Sequence, residues 1–218
     1  MHLRRMGYDV VCGEIEPEIF KVQGIDCVYT DLNHKIDAAD NSFDYVCCVE
    51  GLEHMTDPYR AVEEFARVLK VGATGIFTVP NYSNIEKRFK YLLKGYLATP
   101  KTAGDYRRAA SHLFNFHNSP LTITILDFMF AINGLRVAAI LRDGRKTKQY
   151  FLLPLVLLLK ARACLSSQKS KKKHASDLTL RNEVILGGNT IIFITKKTGG
   201  APDASGADGR PVTSPLAR

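Results

Sequence analysis

Apolar and polar positions along the chain alternate between two rhythms. Tyr8–Cys12 (YDVVC) and Ile25–Tyr29 (IDCVY) are short β-rich runs. Phe43–Val49 (FDYVCCV) is an unbroken apolar run, the pattern of a strand covered on both faces. Asp57-Pro58 then opens a helix, because Asp57 suits the N-cap and Pro58 the first helical position. Ala61, Val62, Phe65, Val68 and Leu69 follow at helical spacing, Gly72 is the expected stop, and Gly75–Val79 (GIFTV) reads as the next strand. Strand, helix and strand in that order predict an α/β fold with a parallel sheet.

The second half is less regular. Residues 82–118 are basic and aromatic and read as a helical insertion or lid. Ser119-Pro120 is the expected start of a helix reaching Asn133, with Gly134 as its stop. Leu135–Leu141 is strand-like, Tyr150–Leu165 reads as a helix despite Pro154, and Thr190–Thr195 (TIIFIT) is a final strand. The expectation is one domain over residues 1–198, interrupted by the 82–118 segment and by a basic and apolar insertion at 143–174. A Gly/Ala/Pro/Asp/Ser-rich tail at 199–218 has a disordered composition. There is no internal repeat.

Charge changes this picture in one place. The chain of 218 residues carries a formal net charge of +8. Residues 142–174 alone hold ten Lys and Arg against one acid, Asp143, so the remaining chain is close to neutral. The basic excess therefore describes one segment, and a general nucleic-acid-binding surface does not follow from it. No apolar stretch reaches the ~20 residues that span a bilayer, which excludes a multi-span membrane protein. Five cysteines (12, 27, 47, 48 and 164) give an odd count with no CxxC, and four lie in apolar stretches. They read as buried reduced thiols, and with no apolar leader at the N-terminus the protein is expected to be cytoplasmic.

Three blocks between Gly7 and Asn81 carry a resemblance: GYDVVCGEIEPE, DLNHKIDAADNSFDYVCCVEGLEHMTDP and EEFARVLKVGATGIFTVPN. The middle block has an acidic-Leu-Asn start, Asn-Ser-Phe-Asp before an apolar strand, E-x-L-E-H after it, and Asp-Pro opening the helix. Together they resemble the class I S-adenosylmethionine-dependent methyltransferases, in particular the ubiquinone-pathway O-methyltransferase group. A weaker likeness continues through SHLFNFHNSPLTITILDFMFAINGLRV. The resemblance implies a Rossmann-like sheet with flanking helices and S-adenosyl-L-methionine as cofactor. It also implies site residues. Glu14, at the end of the second family strand, would bind the ribose hydroxyls, with Ile15 on the adenine face. Asp31 would accept from the adenine amino group, with Leu32 beside it, and Glu50 would face the cofactor from the end of the next apolar strand. These positions fall at carboxyl ends of strands, where such sheets bind ligands. The family's first strand and Gly-rich turn are lacking. The chain is thus expected to begin past them, at a misplaced start or a fragment boundary. The YDVVC and FDYVCCV edges would then pair directly or stay open.

Glu50-Gly51-Leu52-Glu53-His54 is similar to the metal-binding word of ubiquinone-pathway O-methyltransferases and small-RNA 2′-O-methyltransferases, which carry a further His before a Pro. His112 is expected in that place. Glu50, Glu53, His54 and His112 would suit Mg, Mn or Zn polarising a hydroxyl acceptor. Relatives without a metal use the same word to cap a helix and line the site, so both readings stand. His54 and His117 are the candidate general bases, since an imidazole with a pKa near ~6.5 exchanges protons at neutral pH. Tyr150–Leu159 (YFLLPLVLLL) beside Lys160, Arg162 and Lys169–Lys173 fits either an interfacial membrane anchor or a buried helix with a solvated basic loop.

The expected function is methyl transfer to oxygen on a small or lipid-linked acceptor, with peripheral membrane contact through residues 150–173. The alternatives are a non-catalytic Rossmann-like binding or assembly domain, favoured by the missing Gly-rich turn, and an RNA methyltransferase. Nucleic acid is the weaker partner, because the basic residues lack interleaved aromatics for base stacking.

Overall fold

The computed structural model describes residues 2–109, 112, 114, 116–144 and 146–199. From residue 200 onward the expected tail lies outside the described residues. The chain opens on a short helix α1 (His2–Arg5), followed by β1 (Val11–Glu14), β2 (Asp26–Tyr29), β3 (Phe43–Val49), α2 (Pro58–Val68) and β4 (Leu69–Pro80). It continues through α3 (Ile85–Lys94), α4 (Ala103–Arg108), α5 (Ile123–Ile132), β5 (Leu135–Arg142), α6 (Leu153–Leu165), α7 (Gln168–Lys173), α8 (Ser176–Thr179), α9 (Asn182–Ile185) and β6 (Thr190–Lys197).

β4 is the axis of a mixed four-stranded sheet with order β3-β4-β6-β5. β3 runs parallel to it, whereas β6 is antiparallel to both β4 and β5. The parallel sheet expected from the first half of the sequence is therefore confined to that half. Asp57 caps α2 as expected, its carboxylate accepting from Arg60 N at 3.1 Å. The next boundary differs from expectation. Leu69 is already in β4, fully buried and opposite Phe43, and the pairing then jumps to Tyr45 opposite Thr74. Gly72, at φ 81°, sits in this irregularity rather than closing the helix. The left-handed backbone that a helix stop would need serves the bulge equally well.

β1 and β2 form a separate parallel pair, with Glu14 opposite Tyr29. Among the described residues β1 pairs with no strand of the larger sheet, so the edges of β1 and β3 stay open, one of the two expected outcomes. One face of β3 is also uncovered. Tyr45 and Val49 are exposed, although their apolar run predicts cover on both faces, and Tyr45 is met edge-on by Tyr8 at 5.6 Å. The cysteines follow the same alternation. Cys48 is buried, Cys47 and Cys164 are exposed, and Cys12 and Cys27 are half-buried, which corrects the expectation of uniformly buried thiols.

Polar contacts through the 31–40 segment fasten the β1–β2 pair to the larger sheet. Asn33 Oδ1 accepts from Thr56 N at 3.0 Å and Thr56 Oγ1 at 2.8 Å, and Ile36 N donates to Glu64 Oε2 at 2.8 Å. Arg67 donates to the Ile36 and Ala38 carbonyls and to the carboxylates of Asp40 and Glu64. That guanidinium holds the Glu64 carboxyl below the usual carboxylate range.

The core between α2, the sheet and α5 is built on a chain of rings. Phe65, Phe77, Phe130 and Phe193 follow one another at centroid separations of 5.5, 4.9 and 5.4 Å. Gly75 makes room for it: a Cβ there would lie 2.6 Å from both the Phe77 ring and Thr195 Oγ1. A smaller cluster of Ile85, Val156 and Ile185 seats α3, α6 and α9 on the far side.

Phe77→Ala is expected to cost about 3–5 kcal/mol in urea unfolding, because a fully buried ring leaves a cavity the neighbouring rings cannot fill. Phe151→Ala, at a ring 90% exposed, is expected to stay within about 0.5 kcal/mol of wild type.

Candidate active site

The carboxyl ends of β1 to β4 bring polar residues to one side of the molecule. Glu14 closes β1; its carbonyl accepts from Thr30 N at 2.8 Å, and its Oε1 accepts from the Ile15 amide at 2.8 Å. Asp31 follows β2, and its Oδ1 holds an Asn33 turn through the backbone N at 2.9 Å and Nδ2 at 3.0 Å. Leu32 packs against the main core and approaches Gly51, in the turn after β3, to within 3.8 Å of where a Cβ would stand. Glu50 follows β3 with a left-handed φ of 49°. Its amide donates to the carbonyl and hydroxyl of Thr78, and its carboxylate accepts from Thr190 Oγ1 at 2.7 Å. Glu14, Ile15, Asp31, Leu32 and Glu50 thus gather at one sheet end although their strands belong to two sheets.

Beyond Glu50, a 3-10 turn over Leu52–His54 places Glu53 inward. Its residue is 1% exposed, and neither carboxylate oxygen has a partner among the described residues. Burial pushes its carboxyl above the usual range, only partly offset by its own backbone amide and by His54. His54 Nδ1 is likewise buried and unpartnered. His117 completes the group: Glu53, His54 and His117 each offer one ligand-type atom, all within 4.8 Å of one another. The two imidazoles meet edge to face, with centroids 4.8 Å apart. Burial and the neighbouring His54 both hold His117 below the usual histidine range.

The strap from His117 to Ser119 creates this convergence. Ser119 N donates to the Glu53 carbonyl at 3.0 Å, Ser119 Oγ to the Met55 carbonyl at 3.0 Å, and Asn118 Nδ2 to the His54 carbonyl at 2.8 Å. The bonding capacity that suggested Ser119 as a helix cap is spent on the 52–55 turn, and α5 starts only at Ile123. The same strap decides which histidine reaches the site. His112, expected beside Glu53, is exposed, stacked on Phe114 at 5.0 Å and outside the cluster, whose place is taken by His117. Glu50 is tied to Thr190 and also lies outside the group of three.

Two contributors have no counterpart in the sequence reading. Tyr82, 5% exposed, places its hydroxyl 2.9 Å from His117 Nδ1. It belongs to the Asn81–Asn84 turn at the carboxyl end of β4, all buried. There Asn81 Nδ2 donates to the Val184 carbonyl, Asn84 Nδ2 to the Gly188 carbonyl, and Ser83 Oγ accepts from Ile123 N. Four polar residues directly after a buried strand were the available signal, since a polar turn is buried only where its groups are satisfied.

Residues 1–77 match the family model described as a methyltransferase domain. No curated protein matches the chain. Among solved structures, a SAM-dependent methyltransferase from Archaeoglobus fulgidus is similar at 12% identity and TM-score 0.54, over 90% of this chain and 79% of that one. A SAM-dependent methyltransferase from Methanosarcina mazei gives 13% identity and TM-score 0.48 over 90% and 85%. Phosphoethanolamine N-methyltransferase 2 from Haemonchus contortus, solved with S-adenosyl-L-methionine, gives 14% identity and TM-score 0.40 over 80% and 37%. The archaeal likeness establishes the fold, a Rossmann-like class I methyltransferase architecture. The methyltransferase-domain match over residues 1–77 agrees with that architecture.

In an NMR titration the His117 ring is expected to titrate below an ordinary histidine. His54→Gln should move it upward, because the lowering influence of the neighbouring His54 ring is removed. Since the unfolded chain takes up this proton first, His117 lowers stability as pH falls through the ordinary histidine range. An unshifted His117 resonance in His54→Gln would contradict the coupling.

Proposed function

We propose that the protein transfers the methyl group of S-adenosylmethionine to a hydroxyl oxygen of a small or lipid-linked acceptor. The observation that carries this reading is the group of Glu53, His54 and His117 at the carboxyl end of β3, beside the edge that gathers Glu14 and Asp31. Glu14 and Asp31 supply carboxylates for paired ribose hydroxyls and an adenine amino group, with Ile15 and Leu32 as apolar faces. S-adenosylmethionine, when bound, supplies the electrophilic methyl group. This chain's residues hold the acceptor in line and take its proton.

His117 is the exposed member of the group and the proton acceptor in this reading. With Nδ1–H donating to the Tyr82 oxygen, Nε2 presents its lone pair to the acceptor hydroxyl. A cleft of about 320 Å³ leads away from Tyr82 between α3 and α5, lined by Leu97, Ile123 and Tyr91 among others, and suits an acceptor with an apolar tail.

A second reading rests on the orphaned atoms. Two carboxylate oxygens and one imidazole nitrogen, buried without partners among the described residues, resemble a cation ligand set more than a finished core, because buried polar atoms are ordinarily bonded. Mg, Mn or Zn held by Glu53, His54 and His117 would polarise a hydroxyl. The residues fit such an ion, with His117 where His112 was expected.

Calorimetric titration of S-adenosylmethionine tests the cofactor half. Glu14→Ala and Asp31→Ala should each weaken binding at least tenfold, about 1.4 kcal/mol, through lost charge-assisted hydrogen bonds. Undiminished affinity in both variants would overturn the assignment. Titration of Mn and Zn salts tests the second reading. Glu53→Gln and His117→Ala should abolish binding that His112→Ala leaves intact, whereas the absence of binding in wild type leaves the cluster to proton transfer alone.

A further inference from the structure

Apart from Lys160 and Arg162, every residue of α6 is apolar. Its inner residues Leu152, Leu155, Val156 and Leu159 pack with Ile85 and Ile185, as a surface helix should pack one stripe. The opposite side, around Arg162, is largely apolar as well: Leu157, Leu158 and Leu165 are 58%, 65% and 90% exposed, and Phe151, in the turn that leads into α6, is 90% exposed. Large apolar side chains on both sides of a helix are ordinarily enclosed, by a core or by lipid. At 13 residues α6 is about 20 Å long, too short to cross a bilayer, and no helix among the described residues is long and apolar enough to do so.

The neighbouring helix repeats the pattern. α3 lies against the Thr147–Leu152 turn that leads into α6; Ile85 joins the same cluster as Val156, and Lys146 bridges to Glu86 at 2.9 Å. From that seat α3 carries Leu92, 77% exposed, and Leu93, 67% exposed, outward. Two adjoining elements thus present large aliphatic and aromatic side chains to water, and the sequence concentrates its charge on these elements and directly after them. Lys90 and Lys94 lie on α3, and Lys169 to Lys173 lie on α7 directly after α6.

We propose that α3 and residues 147–173 form an interfacial platform that seats the protein on anionic lipid bilayers. The apolar residues enter the acyl boundary while the lysines remain at the headgroup phosphates. Charge complementarity selects this occupant. A protein partner for so apolar a face would need a matching apolar surface but not a run of long, flexible ammonium groups, whereas a headgroup layer takes both at once. Lysines near such a surface add electrostatic attraction to the marginal binding of a shallow apolar insertion. The cleft beginning at Tyr82 is lined by Tyr91 of α3, so the platform and the acceptor side share an element.

Co-sedimentation with vesicles tests the platform and does not depend on methyl transfer. Full-length protein is mixed with phosphatidylcholine vesicles and with vesicles carrying about a third phosphatidylglycerol. At low salt, binding to the anionic vesicles should exceed binding to neutral ones at least tenfold and fall as salt rises. Lys169, Lys171 and Lys173 changed together to Gln should abolish the preference for anionic vesicles. Phe151, Leu158 and Leu165 changed together to Ser should abolish sedimentation with either vesicle. Far-UV circular dichroism and S-adenosylmethionine titration show that both variants remain folded. Equal sedimentation of wild type with and without vesicles would overturn the proposal, as would retention of binding by the serine variant. Self-association of wild type that the serine variant loses, without vesicle binding, would assign the face to a second copy of the chain and likewise overturn it.

Discussion

The position of β4 is the constraint from which the rest of the molecule follows. It is the one strand with partners on both edges that links the parallel and antiparallel parts of the sheet, and its Phe77 lies within the ring chain joining α2, α5 and β6. Rings in tilted and edge contact bury large areas with defined geometry, so the chain fixes orientation as well as supplying stability. Because α2 and α5 are both held on that chain, the segments that precede them, 50–57 and 117–122, are carried to the same end of the sheet. The candidate site group is assembled from those two segments and from the Asn81–Asn84 turn that ends β4.

Within that frame the site is polarised in depth. Glu53 is held inside by a tight turn and a strap that bonds its carbonyl, while its carboxylate has no partner among the described residues. His117 lies outward, braced by Tyr82. A buried carboxylate without a counter-charge is costly in a core built for stability alone. The strap's three hydrogen bonds and the fully bonded Asn81–Asn84 turn hold it there. Function and stability thus pull in opposite directions over a span of a few residues.

The edge proposed for the cofactor is organised differently. Among the described residues the β1–β2 pair shares no backbone ladder with the larger sheet and is fastened mainly by side chains, through Asn33, Glu64 and Arg67. Hydrogen bonds of that kind are individually modest. The open edges of β1 and β3, with Tyr45 and Val49 exposed, show that this half of the molecule is less completely covered than the ring-filled core. The membrane-facing side proposed for α3 and α6 is uncovered for another reason: its inner stripe is packed, and its outer residues are apolar beyond what packing required.

Much of the fold was legible in the sequence because it rests on local rules. Asp57-Pro58 had to start a helix, Thr190–Thr195 had to be a strand, and the methyltransferase-like words between Gly7 and Asn81 placed Glu14, Asp31 and Glu50 at strand ends. Local rules misled where a residue's capacity was claimed from afar. Gly72 could stop a helix, but burial of Leu69 opposite Phe43 extended β4 and left Gly72 in a bulge. Ser119 could cap a helix, but the 52–55 turn took both its amide and its hydroxyl. That choice set His117, and not His112, over Glu53. Sequence alone thus determined which residue types were available and the strand ends that carry them. Which histidine faces the carboxylate, that Tyr82 braces it, and that α6 keeps an apolar outer face were decided by tertiary packing, because each depends on partners tens of residues away that no local pattern encodes.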